Sequence, residues 1–203
     1  MNDLEYLNQI SAGVNKPAKT NFFDKKMKII AAVLGGVVLL LIILMAVAGN
    51  SSNTESTVAT ELGRLYTRTN ELNKTVTTYN PSVNHSTLRS NGASFSTLLA
   101  EISSTSSTYL THNLGTELGT ITVPDSDTLV INNLNASLEN ARLNGVLDRK
   151  YASEMYYQII YLINIEEAVS KKTSDSTLKT FLESSETSLL LLEDAFHNFS
   201  ESD

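Results

Sequence analysis

Three histidines, at positions 85, 112 and 197, are the whole imidazole supply of this 203-residue chain, and it has no cysteine. Thiol nucleophiles, thiolate zinc sites and disulfide staples are excluded outright. Acid–base or metal chemistry would have to rest on those histidines and on carboxylates. His197 has the most suggestive surroundings, with Glu193 four residues and Asp194 three residues before it, so carboxylate and imidazole share a helix face. The expected outcome is a surface ion pair worth about 0.3 kcal/mol. His85 falls where a helix should start and His112 where one should end, places where an imidazole commonly sits half-exposed and idle. The G-x-S-x-G elbow, the H-E-x-x-H zinc helix, the phosphate loop and the dinucleotide fingerprint do not occur. No enzymatic activity, metal or cofactor is expected.

Two other groups of residues carry chemistry of a different kind. Glu166 falls on an apolar stripe, four residues after Leu162 and three before Val169. A carboxylate there is costly to bury unpaired. The expectation is a solvated last turn of its helix, and if the side chain is buried instead, Glu166 marks a polar pocket or sets helix register. Tyr151, Tyr156, Tyr157 and Tyr161 form the second group, with Tyr157 and Tyr161 one turn apart and off the main stripe. Exposed tyrosines anchor interfaces well, so Tyr156, Tyr157 and Tyr161 are the candidate recognition surface for a protein or glycan.

The elements that position these residues follow from spacing. Val58, Leu62, Leu65, Thr69, Leu72, Val76 and Tyr79 alternate intervals of four and three, which is one stripe of a helix and not a strand. Asn80-Pro81 ends it. A second helix from Ser86 to about His112 faces Leu88, Phe95, Leu98, Leu99, Ile102, Tyr109 and Leu110 inward, despite Gly92 and a serine–threonine run of poor helix propensity. Gly115, Gly119 and Pro124 mark a loop with a brief extended stretch over Thr120 to Val123. Asp125, Ser126 and Asp127 are cap candidates for a third helix to about Leu143, with Val130, Leu134, Leu138 and Ala141 buried. After a turn at Asn144-Gly145, a fourth helix starts near Asp148 and carries Ala152, Met155, Ile159, Leu162, Glu166 and Val169 at three- and four-residue intervals. A fifth, capped by Ser174 or Asp175, carries Leu178, Leu182, Ser185, Leu189, Leu192, Phe196 and Phe199 at strict four–three intervals. Helices with short links predict an all-α, antiparallel, up-and-down bundle of four or five helices over residues 58–203. Bundles of the ferritin-like di-metal type need Glu-x-x-His pairs on two helices. Asp194-x-x-His197 is the only near match here, so likeness ends at architecture.

Ahead of the bundle stands the apolar run Ile29–Ala48, twenty residues without a charge. As a helix it measures roughly 30 Å, the thickness of a bilayer's hydrocarbon core. Residues 1–28 carry five basic and three acidic groups, and residues 49–203 carry ten basic and nineteen acidic ones. The positive flank predicts a cytoplasmic tail over 1–28, a transmembrane helix over 29–48, a polar spacer over 49–57 and an extracytoplasmic bundle beyond. Cleavage after Ala46-Val47-Ala48 is the rival reading, although the run is longer than an ordinary signal-peptide core. Ala31/Gly35 and Ala32/Gly36 are small-residue pairs through which two such helices would approach closely, giving a homodimer. The outer part's net charge of −9 argues against nucleic acid as a partner. The expected function is non-catalytic, a single-pass, membrane-anchored interaction or structural module at the cell surface, in contact with lipid through Ile29–Ala48 and with a protein partner. The alternatives are a ligand-binding or sensing bundle built around Glu166 and, last, a metal-dependent enzyme.

Overall fold

Intervals of four and three put every expected apolar residue of the first segment on one side of a helix, and that side is closed to solvent. Leu62, Leu65, Leu72 and Val76 are fully buried in α1, Glu55–Tyr79. The computed structural model describes residues 55–122 and 124–202. The tail, the apolar run Ile29–Ala48 and most of the spacer lie outside them. Among the described residues no helix is long and apolar enough to cross a membrane.

Pro81 breaks α1 into a single 3-10 turn, Asn80–Ser82, and α2 follows over Ser86–Thr108. The carboxylate of Asp148 accepts hydrogen bonds from the backbone N–H groups of Asn84 (2.9 Å) and His85 (2.8 Å), satisfying donors at the start of α2 from another helix. The serine–threonine run stays helical because its neighbours Leu98, Leu99 and Ile102 are buried, and α2 then widens into a π-type turn, Tyr109–Asn113. The extended stretch expected over Thr120 to Val123 is replaced in part by a 3-10 turn, Leu118–Thr120, with Ile121 extended after it, and Val123 lies outside the described residues.

Helix α3 spans Asp125–Leu143, α4 Leu147–Lys172 and α5 Ser176–Ser202. One of the expected start signals, that of α3, is corrected, and the one at α5 holds. Pro124 holds the N-cap position of α3 and no side chain caps it, because the carboxylate of Asp127 is committed elsewhere. The buried stripe of α3 is also Asp127, Ile131, Leu134, Leu138 and Ala141, while Val130 turns outward at 38% exposure. At α5 the cap is Asp175, whose Oδ1 accepts from the N–H groups of Thr177 (2.7 Å) and Leu178 (3.0 Å). Its other oxygen accepts from the hydroxyl of Tyr109 at 2.8 Å, which ties the cap to the end of α2. Between α3 and α4 the chain turns at Gly145, whose φ of +71° only glycine adopts without strain. Val146 N–H bonds to Ala141 C=O and Gly145 N–H to Arg142 C=O, the paired closure of a Schellman turn.

Helices α1, α2, α5 and α4 pack in a ring, each beside the next, and α3 lies on α4 and α1. Cross-helix partners fix the directions. Ser96 of α2 bonds to Asn73 and Asn80 to Arg89, so α1 and α2 are antiparallel. Ser185 bonds to Glu166 and His197 stacks on Tyr156, so α4 and α5 are antiparallel too. The chain therefore runs up, down, up, down, up among five helices, and among the described residues there is no strand. The core is leucine-rich, with Phe95, Phe196 and Tyr151 meeting edge to face at one end.

Gly92 is where α2 passes closest to its neighbours. A Cβ there would stand 2.7 Å from the Tyr151 hydroxyl and closer still to the Asn80 side chain. The Asn80 amide can swing aside, but the Tyr151 ring is fully buried and cannot. Gly92→Ala is expected to cost about 1–3 kcal/mol despite the better helix propensity of Ala. A denaturation midpoint equal to or above that of the parent chain would refute this close contact.

Candidate functional site

Arg64 and Arg68 are one turn apart on α1, beside its apolar stripe, and they face the junction of α1, α3 and α4. Asp127 enters from the first buried position of α3, and Gln158 and Tyr161 come from one face of α4. Arg64 grips Asp127 with two hydrogen bonds, Nε to Oδ2 at 2.5 Å and Nη2 to Oδ1 at 2.9 Å. The Tyr161 hydroxyl donates to Asp127 Oδ1 at 2.5 Å and accepts from Arg64 Nη2. Arg68 donates from Nη1 to the Asp127 backbone carbonyl at 3.2 Å and from Nη2 to Gln158 Oε1. Both guanidinium groups lie over the Tyr161 ring, Arg68 at 4.9 Å and Arg64 at 5.5 Å from its centroid.

The electrostatics follow from those contacts. The Arg64 guanidinium holds the Asp127 carboxyl below its ordinary range, against the opposing effect of burial. Burial pushes the Tyr161 phenol up, and its bond to the ionised Asp127 adds to that shift. Arg64 is raised by Asp127, whereas burial lowers Arg68. Asp127 is thus an ionised carboxylate whose oxygens are already taken, and Tyr161 is a phenol that keeps its proton. Neither is poised to attack or to accept a proton. The cluster works as a clamp: charge-assisted bonds hold α3 against α1 and α4.

A half-open cleft of about 280 Å³ lies beside the clamp between α1 and α3, lined by Thr67, Arg68, Glu71, Asp127, Thr128 and Asn132. Arg68 is almost wholly buried, and its Nε has no hydrogen-bond partner. Among the described residues no three or more His, Asp or Glu side chains converge as a metal site would require.

The structure separates the tyrosines that the sequence groups together. Tyr161 is half-buried and spent on the clamp. Tyr156 turns to α5, where its ring stacks on His197 at 5.0 Å. Tyr157 is 61% exposed and touches Tyr156 edge to face at 5.2 Å. Tyr151 is a core residue with an unpartnered hydroxyl whose acidity burial weakens.

Glu166 departs most from expectation. Its helix runs two turns of chain beyond it, and the side chain is 1% exposed in the α4–α5 seam rather than solvated. Ser185, across the seam on α5, donates to Oε1 at 2.6 Å, and Oε2 has no partner. Burial pushes the carboxyl up to about 8, Ser185 draws it down, and nearby Glu186 adds to the rise. The residue sits in the leucine-rich interior, away from the lining of the cleft beside Arg68.

Arg64, Arg68, Asp127 and Gln158 are the residues that reading the sequence missed. One signal was present: extending the α3 stripe back by four from Ile131 lands on Asp127. An aspartate in an apolar register calls for a buried cation, and α1 offers two. No protein-family model matches this chain, and the curated proteins and solved structures compared with it gave no match either.

Proposed function

We propose that this protein is a single-pass, membrane-anchored helical bundle whose outer domain serves as a non-catalytic interaction module at the cell surface. The observation that carries the interaction reading is the outer side of α3. Leu129, Val130 and Leu143 on that helix, with Val146 just after it, are exposed at 59%, 38%, 71% and 57%. Exposed apolar surface is a feature that contact sites share, and Leu190 and Leu191 on α5, exposed at 48% and 56%, add to it. The clamp supports the same reading, because its polar groups are turned on one another and not toward a reacting atom. The anchor rests on the uncharged run Ile29–Ala48 and the lysines before it. Tyr157 is the second exposed anchor available to a partner.

A ligand-binding role draws support from the cleft beside Arg68. It is the weaker reading, because Glu166 is sealed in the core and Arg68 is already committed to Gln158 and Asp127. The anchor is tested by protease added to intact cells expressing the full chain with a C-terminal tag. Loss of the tag signal, with the N-terminal tail protected, is the expected result. A tag that survives until the cells are lysed would overturn the topology.

A further inference from the structure

Arg68 is a buried cation that the fold answers only in part. It is 2% exposed, and its two hydrogen bonds go to neutral oxygens, the Asp127 backbone carbonyl and the Gln158 amide. The carboxylate of the clamp, Asp127, already takes two bonds from Arg64 and one from Tyr161. Two guanidinium groups thus share one anion. An arginine has five N–H donors, and Nε of Arg68 has no partner. Buried charges and buried donors are costly to leave unanswered, because the interior offers no water in exchange. Burial works against the guanidinium charge here. An anionic acceptor is what the position lacks.

The cleft between α1 and α3 is built to admit one. Arg68, Asp127 and Ile131 are buried and form its floor, Glu71 is half-buried in its wall, and Thr128 and Asn132 are exposed at its rim. A volume of about 280 Å³ falls just under the roughly 300–1,000 Å³ of ordinary ligand pockets, so the occupant is small. Floor and wall differ in charge. Glu71 follows Arg68 by three residues, so anion and cation lie on the same side of α1, one turn apart. Lys74 donates to Glu71 Oε1 at 2.7 Å, but that pair is exposed and weak, and a carboxylate accepts at both oxygens. A plain anion fits poorly, since it would sit beside Glu71 on a domain of net charge −9. A small molecule that carries a carboxylate and an ammonium answers both groups at once.

We propose that the cleft between α1 and α3 binds a small zwitterion of the α-amino acid class, with its carboxylate on Arg68 and its ammonium on Glu71. The ligand's side chain lies over Ile131, and the Thr128 hydroxyl and Asn132 amide supply polar contacts at the rim. Bound in this way, the ligand bridges α1 and α3 and adds to the clamp. The site goes beyond the interaction module and needs neither the anchor nor a protein partner, so its failure leaves both standing.

Calorimetric titration of the full chain in detergent micelles tests the site. The probes are L-valine, isovalerate, which lacks the ammonium, and isobutylamine, which lacks the carboxylate. L-Alanine and L-threonine are titrated alongside, so that a mismatched side chain does not hide the site. L-Valine is expected to bind saturably, and each single-charge analogue at least about tenfold more weakly, as the loss of a charge-assisted bond requires. Glu71→Gln is expected to weaken L-valine about tenfold and to leave isovalerate no weaker, with circular dichroism confirming unchanged helix content. Arg68→Gln is expected to abolish binding, and where it does not fold, amide exchange in the parent chain decides. L-Valine should slow exchange over residues 67–71 and 127–132 and leave α5 unaffected. No saturable binding of any of the three amino acids up to about 10 mM would overturn the proposal. So would isovalerate binding as tightly as L-valine, which would mean a plain anion site, and so would exchange slowed only away from the cleft.

Discussion

Glu166→Gln is expected to stabilise the bundle at alkaline pH and to change little in acid. An acid with an ordinary value of 4.5 that burial pushes up to about 8 is neutral in the folded chain across most of the physiological range. The unfolded chain ionises it near 4.5 and gains hydration energy that the folded chain cannot match. Below that value the group is protonated in both states and contributes nothing to the pH dependence. As the pH rises from 4.5 toward 8, stability falls by about 1.4 kcal/mol per unit. The loss reaches up to about 5 kcal/mol, and it stops once the folded carboxyl also ionises. Gln has no such titration, keeps an oxygen for the Ser185 hydroxyl and matches Glu in volume. In urea the midpoint of the variant should exceed that of the parent by about 2–2.5 M at pH 8, for a slope near 2 kcal/mol per molar. The two midpoints should converge near pH 4.5. A parent whose midpoint is level between pH 5 and 8 would show that Glu166 is hydrated.

Most of the fold was legible in the sequence because one physical signal was strong. Every apolar residue placed inward on α1, α2 and α4 by its spacing is buried, since a helix in water has one economical way to hide such a stripe. Reading failed where polar residues took stripe positions. At α3, Asp127 holds the first buried place, but an aspartate near a helix start reads more naturally as a cap, and the apolar pattern then starts one residue early at Val130. At α4, the cost of burying a lone carboxyl points Glu166 to solvent. The missing information was Ser185, nineteen residues away on another helix, itself on the α5 stripe. Two polar residues on two apolar stripes are a sign of mutual contact that neither stripe shows alone. The tyrosines failed differently. Nearness in sequence is not a shared face: Tyr156 and Tyr161, five residues and about 140° apart, turn to α5 and to α1, because α4 is packed on more than one side.

Asp127→Asn carries the second large effect, and its sign with pH is opposite to that of Glu166. The carboxylate takes two bonds from Arg64 and one from Tyr161, and it is the one anion beside two guanidinium groups. Asn keeps the shape, loses the charge and turns an N–H₂ toward donors. Removing one partner of a buried ion pair costs about 3–5 kcal/mol. Here the Arg64 side chain is 31% exposed, so water recovers part of that loss and about 2–3 kcal/mol is expected. The damage should be local. Helix α3 buries only one stripe, on α1 and α4, and beyond the clamp it is tied by Asn135 to Thr75 and by Ser137 to Glu154. Amide hydrogen exchange should therefore quicken across residues 125–143 by more than it does in α1, α2, α4 or α5. Uniform quickening through all five helices would show that α3 is not a separable layer. Because the folded carboxyl is held below its ordinary value of 3.8, its contribution is complete above that value and disappears as acid protonates the folded form. Parent and variant should thus approach each other in strong acid. Asp127 removes stability below 3.8 and Glu166 removes it above 4.5, so the parent should be most stable in the narrow interval between them. A double variant, Asp127→Asn with Glu166→Gln, should lose that maximum, and a maximum that persists would point to other titrating groups.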